Sequence, residues 1–260
     1  SPRIDGFWRG HGWPATGSLQ GMFRRLPGSV NLGNPRWLTI GQKLTSTLAA
    51  PLCVLCGGPG QLGDELWGLD LCRYCEEACP RPPAAPAQGA PRHESFQATR
   101  ALFLYEDPVD RLVTGLKFRG ELACARVLGT LLARQVAAAG IRLPQALVPL
   151  PLHASRYRER GFNQAEAVAR HVASRTGVPL DALLLQRLRA TAPQTTLSAS
   201  ERRHNCTGAF AARPGRRSPA RVALLDDVMT TGSTAAAAAE ALRAAGARHV
   251  ELWVCALALA

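Results

Sequence analysis

The stretch RVALLDDVMTTGSTAAAAAEALRAAGA, residues 221–247, leaves a chain few ways to fold. The uninterrupted apolar run Val222–Leu225 fits a strand buried on both faces, the kind found in parallel sheets. Two carboxylates, Asp226 and Asp227, follow at once. A turn of small, mostly hydroxylated residues around Gly232 comes next, and then an alanine-rich segment with helical composition. Strand, turn and helix in that order make a βα unit, and a parallel sheet binds its ligands at the carboxyl ends of its strands. The first N–H groups of such a helix have no intrahelical acceptor, and its dipole favours an anion there. Gly232 lets a phosphate approach the backbone, and Thr230, Thr231, Ser233 and Thr234 add hydroxyl donors. Carboxylates repel a phosphate, so Asp226 and Asp227 serve another part of the ligand. Paired ribose hydroxyls suit them, because carboxylates are strong acceptors for O–H donors. The segment reads as a ribose 5-phosphate pocket; the plainer alternative is an ordinary helix cap after a buried strand.

The chain around this unit alternates in the same way. ATRALFLYE (98–106) has strand alternation, VDRLVTGLKF (109–118) has helical spacing with Leu112, Val113 and Leu116 on one face, and 121–140 predicts a long amphipathic helix stopped by Gly140. A short apolar strand at 146–152, a helix over 163–177 and a last strand at 249–259 follow. Residues 181–188 fit strand or helix, and 189–208 read as a long polar loop. The fold class is α/β, a parallel sheet flanked by helices over 98–260. Ahead of it lie a Gly/Pro/Arg/Trp-rich extension without periodicity (1–49), a cysteine cluster (50–80) and a Pro/Ala-rich linker (81–97). No run of 18 apolar residues predicts a membrane span, and the first residues lack a signal-peptide pattern, so a cytoplasmic location is the expectation.

Cysteine spacing adds a second site. Cys53-Val-Leu-Cys56-Gly and Cys72-Arg-Tyr-Cys75 are two CxxC knuckles separated by 15 residues. That pattern is expected of one structural Zn²⁺ held by four thiolates, with redox dithiols or buried thiols as the alternative. About 30 residues cannot hold together by core burial alone, so the metal would supply much of the folding free energy. Cys79 is left over.

Charge narrows the partner. The chain carries a formal +12, with 29 arginines against two lysines, Lys43 and Lys117. Twelve arginines and four acids fall between Arg156 and Arg217. Such a segment attracts a polyanion, either a nucleic acid or a small phosphorylated ligand. Arg156, Arg158, Arg160 and Gly161 follow the 146–152 strand, so they can reach the same end of the sheet as the βα turn. Guanidinium forks there suit pyrophosphate oxygens.

The run VALLDDVMTTGST (222–234) resembles the phosphoribosyl pyrophosphate (PRPP) motif of type I phosphoribosyltransferases. Together with PLHASRYRERGFNQA (151–165), TAPQTTLSASERRHNCTGAF (191–210) and LVTGLKFRG (112–120), it resembles the competence protein F (ComF/GntX) family. The resemblance covers roughly residues 50–260. It implies a zinc-ribbon-like module joined to a phosphoribosyltransferase-like domain. It also implies PRPP bound with Mg²⁺, the metal being held mostly by ligand oxygens, and a mobile hood carrying Gln194, Arg202, Arg203 and Asn205. Three functions stay compatible with it: transfer of the phosphoribosyl group to an acceptor, PRPP binding in an accessory role in DNA uptake or use, and single-stranded nucleic-acid binding.

Overall fold

The structure, a computed structural model, describes residues 51–62, 68–83, 94–189 and 208–259, all within one compact unit. The extension 1–49, the middle of the Pro/Ala linker and the hood residues Gln194, Arg202, Arg203 and Asn205 lie outside the described residues.

A helix α1 (Arg73–Ala78) closes the cysteine segment, and the main elements follow as β1 (Ala98–Leu104), α2 (Val109–Arg119), α3 (Leu122–Ala138), β2 (Ala146–Pro149), α4 (Ala154–Arg160), α5 (Gln164–Thr176), β3 (Leu185–Arg187), β4 (Phe210–Ala212), β5 (Arg221–Met229), α6 (Ser233–Ala244) and β6 (His249–Leu257). Four strands form the main sheet in the order β1-β6-β5-β2, and every neighbouring pair is parallel. The expected helix-flanked parallel sheet is therefore present. β3 and β4 form a separate antiparallel pair, which assigns strand to part of 181–188.

Two apolar layers clamp the sheet. On one face Leu102, Phe103, Leu147, Ala223, Leu225 and Trp253 join residues of α2, α3 and α5. On the other, Val148, Val222, Leu224, Val250 and Leu252 pack against α6 and the β3–β4 pair. Alternate residues of β5 thus feed opposite cores, as the two-residue period of a strand requires. The run Val222–Leu225 is fully buried because both faces are covered.

The segment after β2, expected as loop, contains the short helix α4. Its start is capped by His153, whose Nδ1 accepts a hydrogen bond from the Ser155 N–H at 3.3 Å. It stops at Gly161, where φ is +78°. A left-handed residue ends a helix at little cost only if it is glycine.

The cysteine segment does not stand apart from the larger core. Cys53, Leu69, Leu71 and Cys79 belong to the same buried cluster as α2, α3 and α5. Arg126 of α3 donates to Asp70 Oδ2 through both Nε, at 2.6 Å, and Nη2. Leu71 is fully buried. Leu71→Ala should therefore lower the stability of the whole unit by about 2–5 kcal/mol, the usual range for an emptied buried leucine site. Denaturant unfolding followed at Trp253, deep in the main sheet, tests this. An unmoved transition would mean that the two parts fold separately.

Candidate functional site

Strands β2 and β5 end at different heights. Their pairing stops at Pro149 opposite Leu225, and the Leu150 N–H still reaches the Leu225 carbonyl at 2.8 Å. Among the described residues, β5 continues to Met229 paired only with β6, and its other edge is unpaired from Asp226 onward. The two acids thus lie inside the strand, not at its tip, and they face a cleft of about 160 Å³. The walls come from four other places: Leu150–Leu152 after β2, Arg160 with Asn163–Ala165 between α4 and α5, Lys117 at the end of α2, and Arg187 at the end of β3. A second hollow of about 110 Å³ lies between the end of β5 and the start of α6, bounded by Met229, Thr230, Gly232 and Ala235. Asp226 and Thr234 line both.

The turn at this second hollow opens α6. Gly232 caps α6 in the left-handed region, with φ +77°, and has no side chain to occupy the first-turn N–H groups. The Thr231 and Ser233 hydroxyls lie 3.0 Å apart. The Ser233 N–H makes a long approach to Thr231 Oγ1, at 3.5 Å. The first N–H groups of α6 have no acceptor within the helix, and the start of the helix lines the hollow.

The acids are not equivalent. Asp227 is buried and lies 3.1 Å from Lys117 Nζ. Its Oδ1 also accepts from the Val228 N–H at 2.7 Å. Asp226 is partly buried, and its Oδ1 accepts from the Asp227 N–H at 2.9 Å. Burial, and then the neighbouring Asp227 charge, push the Asp226 carboxyl up to about 7; Lys117 and Arg187 pull the other way. Near neutral pH the Asp226 carboxyl is therefore partly protonated.

The arginines divide. Arg160 enters the cleft, bonds the Gln164 side chain at 3.0 Å, and stacks on Phe118 with 5.4 Å between guanidinium carbon and ring centre. Its Nε is buried with no hydrogen-bond partner among the described residues. Arg156 instead pairs with Glu159 at 3.1 Å on the exposed side of α4, and Arg158 donates to the Ala154 carbonyl at 3.4 Å; neither lines the cleft. Gly161 ends α4 beside it. Sequence reasoning gave no role to Lys117 or to Arg187, and both line the cleft. The signal for Lys117 was its rarity: a chain with 29 arginines keeps a lysine in GLKFRG.

The four knuckle cysteines form a second cluster. Their sulfurs all lie within 4.8 Å of one another and can hold a metal ion such as zinc. Cys56 and Cys72 Sγ are 3.8 Å apart, about the edge of a tetrahedron with 2.3 Å metal–sulfur bonds and far beyond a disulfide. None of the four forms a disulfide. Gly57, with φ +73°, turns the first knuckle, and Cys72 caps α1 by accepting from the Cys75 N–H. Burial pushes the Cys53 thiol up, yet backbone hydrogen bonds from Cys72, Cys56 and Leu55 outweigh it and bring the thiol down to about 6. Burial and its three cysteine neighbours push Cys75 the other way. Four crowded sulfurs become thiolates together only around a cation.

The raised Asp226 carboxyl makes a pH prediction. Its native affinity for a proton exceeds that of the unfolded chain, where an aspartate titrates near its ordinary value of 3.8. Between about pH 4 and 7 the native state binds more protons, so this group makes stability fall as pH rises through that window. Asp226→Asn should remove that fall. The difference between the two proteins' denaturant midpoints, followed across the same window, should widen in favour of the variant as pH rises; a constant difference would show an ordinary carboxyl.

No protein-family model matches the chain. The DNA utilization protein YhgH of Salmonella typhimurium is 34% identical over 220 residues, which span 78% of this chain and 95% of that protein. Competence protein F of Haemophilus influenzae is 33% identical over 155 residues, 57% of this chain and 68% of that protein. Competence protein ComFC of Streptococcus pneumoniae is 28% identical over 155 residues, 58% of this chain and 64% of that one. Among solved structures, the B. subtilis glutamine PRPP amidotransferase complexed with ADP and GMP superposes with a TM-score of 0.35 at 23% identity, over 50% of this chain and 25% of that one. The protein TT1426 from Thermus thermophilus gives a TM-score of 0.30 at 22% identity, over 50% and 72%. With 34% identity across nearly the full length of a YhgH protein, the chain belongs to the ComF family of competence and DNA utilization proteins.

Proposed function

We propose that the chain is a PRPP-binding protein of phosphoribosyltransferase type that serves DNA uptake or utilization, and that its cysteine module carries one structural Zn²⁺. The observation that carries the first part is the division of the site into two joined hollows. One has the helix turn and hydroxyls, the other has cations, and Asp226 and Thr234 are common to both. A 5-phosphate on the N–H groups of Thr230–Thr234 leaves the ribose beside Asp226 and Asp227. The 1-pyrophosphate then points toward Arg160 and Lys117. The role in DNA uptake or utilization rests on the names of the relatives.

The chemistry such a site supports is displacement at the ribose C1. A nucleophile forms a bond to C1, the C1–O bond breaks, and pyrophosphate leaves with the electron pair while the nucleophile gives up its proton. Fixed cations beside the departing oxygens favour this step, because they meet charge that grows in the transition state. Mg²⁺ suits the ligand better than it suits the protein. It demands near-octahedral oxygen coordination, whereas the Oδ1 atoms of both acids are engaged with backbone N–H groups and Asp227 with Lys117. Magnesium would thus arrive on pyrophosphate and ribose oxygens.

Calorimetry with PRPP and Mg²⁺ tests the ligand. Replacing both acids with Asn should weaken PRPP by about tenfold or more, since each charge-assisted hydrogen bond contributes about 1.5–3 kcal/mol. Gly232→Val should abolish binding of ribose 5-phosphate as well as PRPP, because a β-branched residue is strained at φ +77° and fills the hollow. Wild-type affinity in the double Asn variant would remove the ribose assignment. A parallel titration with single-stranded DNA separates the nucleic-acid reading: tight binding that falls steeply with salt and ignores PRPP would favour it.

Metal analysis of protein purified without added zinc should give about one equivalent per chain, and Cys72→Ser should lose it together with part of the thermal stability. A folded protein that carries no metal and reacts at all four thiols would refute the zinc assignment.

A further inference from the structure

Lys117 and Asp227 stand out because they pair with each other inside the cleft, where a phosphoribosyl ligand would offer each of them a second partner. Their 3.1 Å ion pair is among the least exposed of those between described residues, with 19% and 12% of the two side chains accessible. Asp227 Oδ1 takes both the ammonium and the Val228 N–H, so this oxygen has no lone pair left for a sugar hydroxyl. Lys117 lines the same cleft as Arg160 and Arg187. Its helix is anchored by Leu112, Val113 and Leu116, all fully buried, so the backbone of α2 stays in place. The lysine stem has four flexible carbons and ends in a point charge with three donors. Its ammonium can therefore change partner without any movement of the fold.

Resting on the phosphoribosyl reading, we infer that Lys117 is a specificity-determining residue: it exchanges its Asp227 partner for the 1-pyrophosphate of a pyrophosphorylated sugar, which frees Asp227 Oδ1 for the ribose hydroxyls. Two halves of the ligand are coupled in this way. A pyrophosphate supplies Lys117 with a more highly charged partner within the same cleft, so the cost of breaking the Asp227 pair is offset. A sugar carrying only the 5-phosphate puts no anion there. Its ribose must then break the pair without compensation or reach Asp227 through Oδ2 alone. Asp226 is a weaker substitute, because its carboxyl is partly protonated near neutral pH. Coupling of this kind between two subsites is usually worth about 5–150-fold in affinity.

The test compares PRPP, ribose 5-phosphate and inorganic pyrophosphate by calorimetry on wild type, Lys117→Met and Asp227→Asn. Wild type should prefer PRPP over ribose 5-phosphate by about tenfold or more. In Lys117→Met that preference should shrink to about threefold or less, with PRPP weaker and ribose 5-phosphate unchanged or tighter, since Asp227 is already free. In Asp227→Asn the untethered lysine should bind inorganic pyrophosphate more tightly than wild type does. A Lys117→Met protein that loses both sugars in the same proportion, or keeps the wild-type preference, overturns the inference and leaves the phosphoribosyl reading intact. A wild type that binds neither sugar overturns both. If Lys117→Met does not fold, as thermal melting would reveal, the Asp227→Asn arm decides: unchanged pyrophosphate affinity there also overturns it.

Discussion

The site depends on a difference in strand length. β5 runs four residues past the last pair it makes with β2, Pro149 with Leu225. Had β2 continued, its backbone would pair with the edge of β5 at Asp226 and Asp227, and the cleft would be filled. Pro149 and Pro151 help to end the ladder there, because proline has no N–H to donate. The chain then leaves the sheet through α4 and returns as α5, which brings Arg160, Asn163 and Gln164 over the gap. Asn163 fixes this return: its side chain donates to the Leu150 carbonyl at 3.0 Å and accepts from the Ala165 N–H at 3.1 Å. One side chain thus joins the end of β2 to the start of α5.

Two adjacent acids in a central strand are an electrostatic problem, and the surrounding fold answers it from both faces. Strand alternation turns them to opposite sides. The face of Asp227 meets α2, which supplies Lys117. The face of Asp226 looks toward the β3–β4 pair, where Arg187 lies and stacks on Phe210. Lys117 and Arg187 are far apart in sequence, and both moderate the rise of the Asp226 carboxyl. The rise persists because burial and the adjacent charge are the larger effects. Cys255, buried behind the pair in β6, is pushed up by the same burial and by both aspartates, so it stays a neutral thiol. The acids are held by sheet register and not by loops, which gives their positions the precision of the core.

What could be read from the sequence follows a physical divide. Patterns confined to neighbouring residues were legible. The run 222–234 announced a strand, a turn at Gly232 and a helix start, and the knuckles at Cys53–Cys56 and Cys72–Cys75 announced four converging sulfurs. The helices over 109–118, 121–140 and 163–177 came within a few residues of their observed ends. Long-range pairing was not legible. Nothing local to Lys117 points to Asp227, 110 positions away, and nothing local to Asp70 points to Arg126. The arginines of α4 failed to sort for a related reason. As a loop, Arg156, Arg158 and Arg160 look alike, but as a helix they face different directions, and Glu159 sits one turn from Arg156 as a ready partner. Helix phase, set by the cap at His153 and the stop at Gly161, decides that Arg160 alone of the three reaches the cleft.

The described residues of the cysteine module meet the helices beside the cleft through packing and one ion pair. α3 is packed on the module through Leu69 and Leu71 and is tied to it by Arg126 and Asp70. The turn Gly120–Glu121 joins α3 directly to α2, the helix that carries Lys117. Arg119 and Glu121 brace that turn with hydrogen bonds of 2.6 and 3.2 Å. Metal at the knuckles would therefore order the surface on which α3 rests, and α3 in turn helps to fix the end of α2 at the cleft. In this arrangement none of the module's described residues lines the cleft. A closed four-sulfur site with no open position suits that role, since it is built for rigidity and offers a substrate nothing to bind.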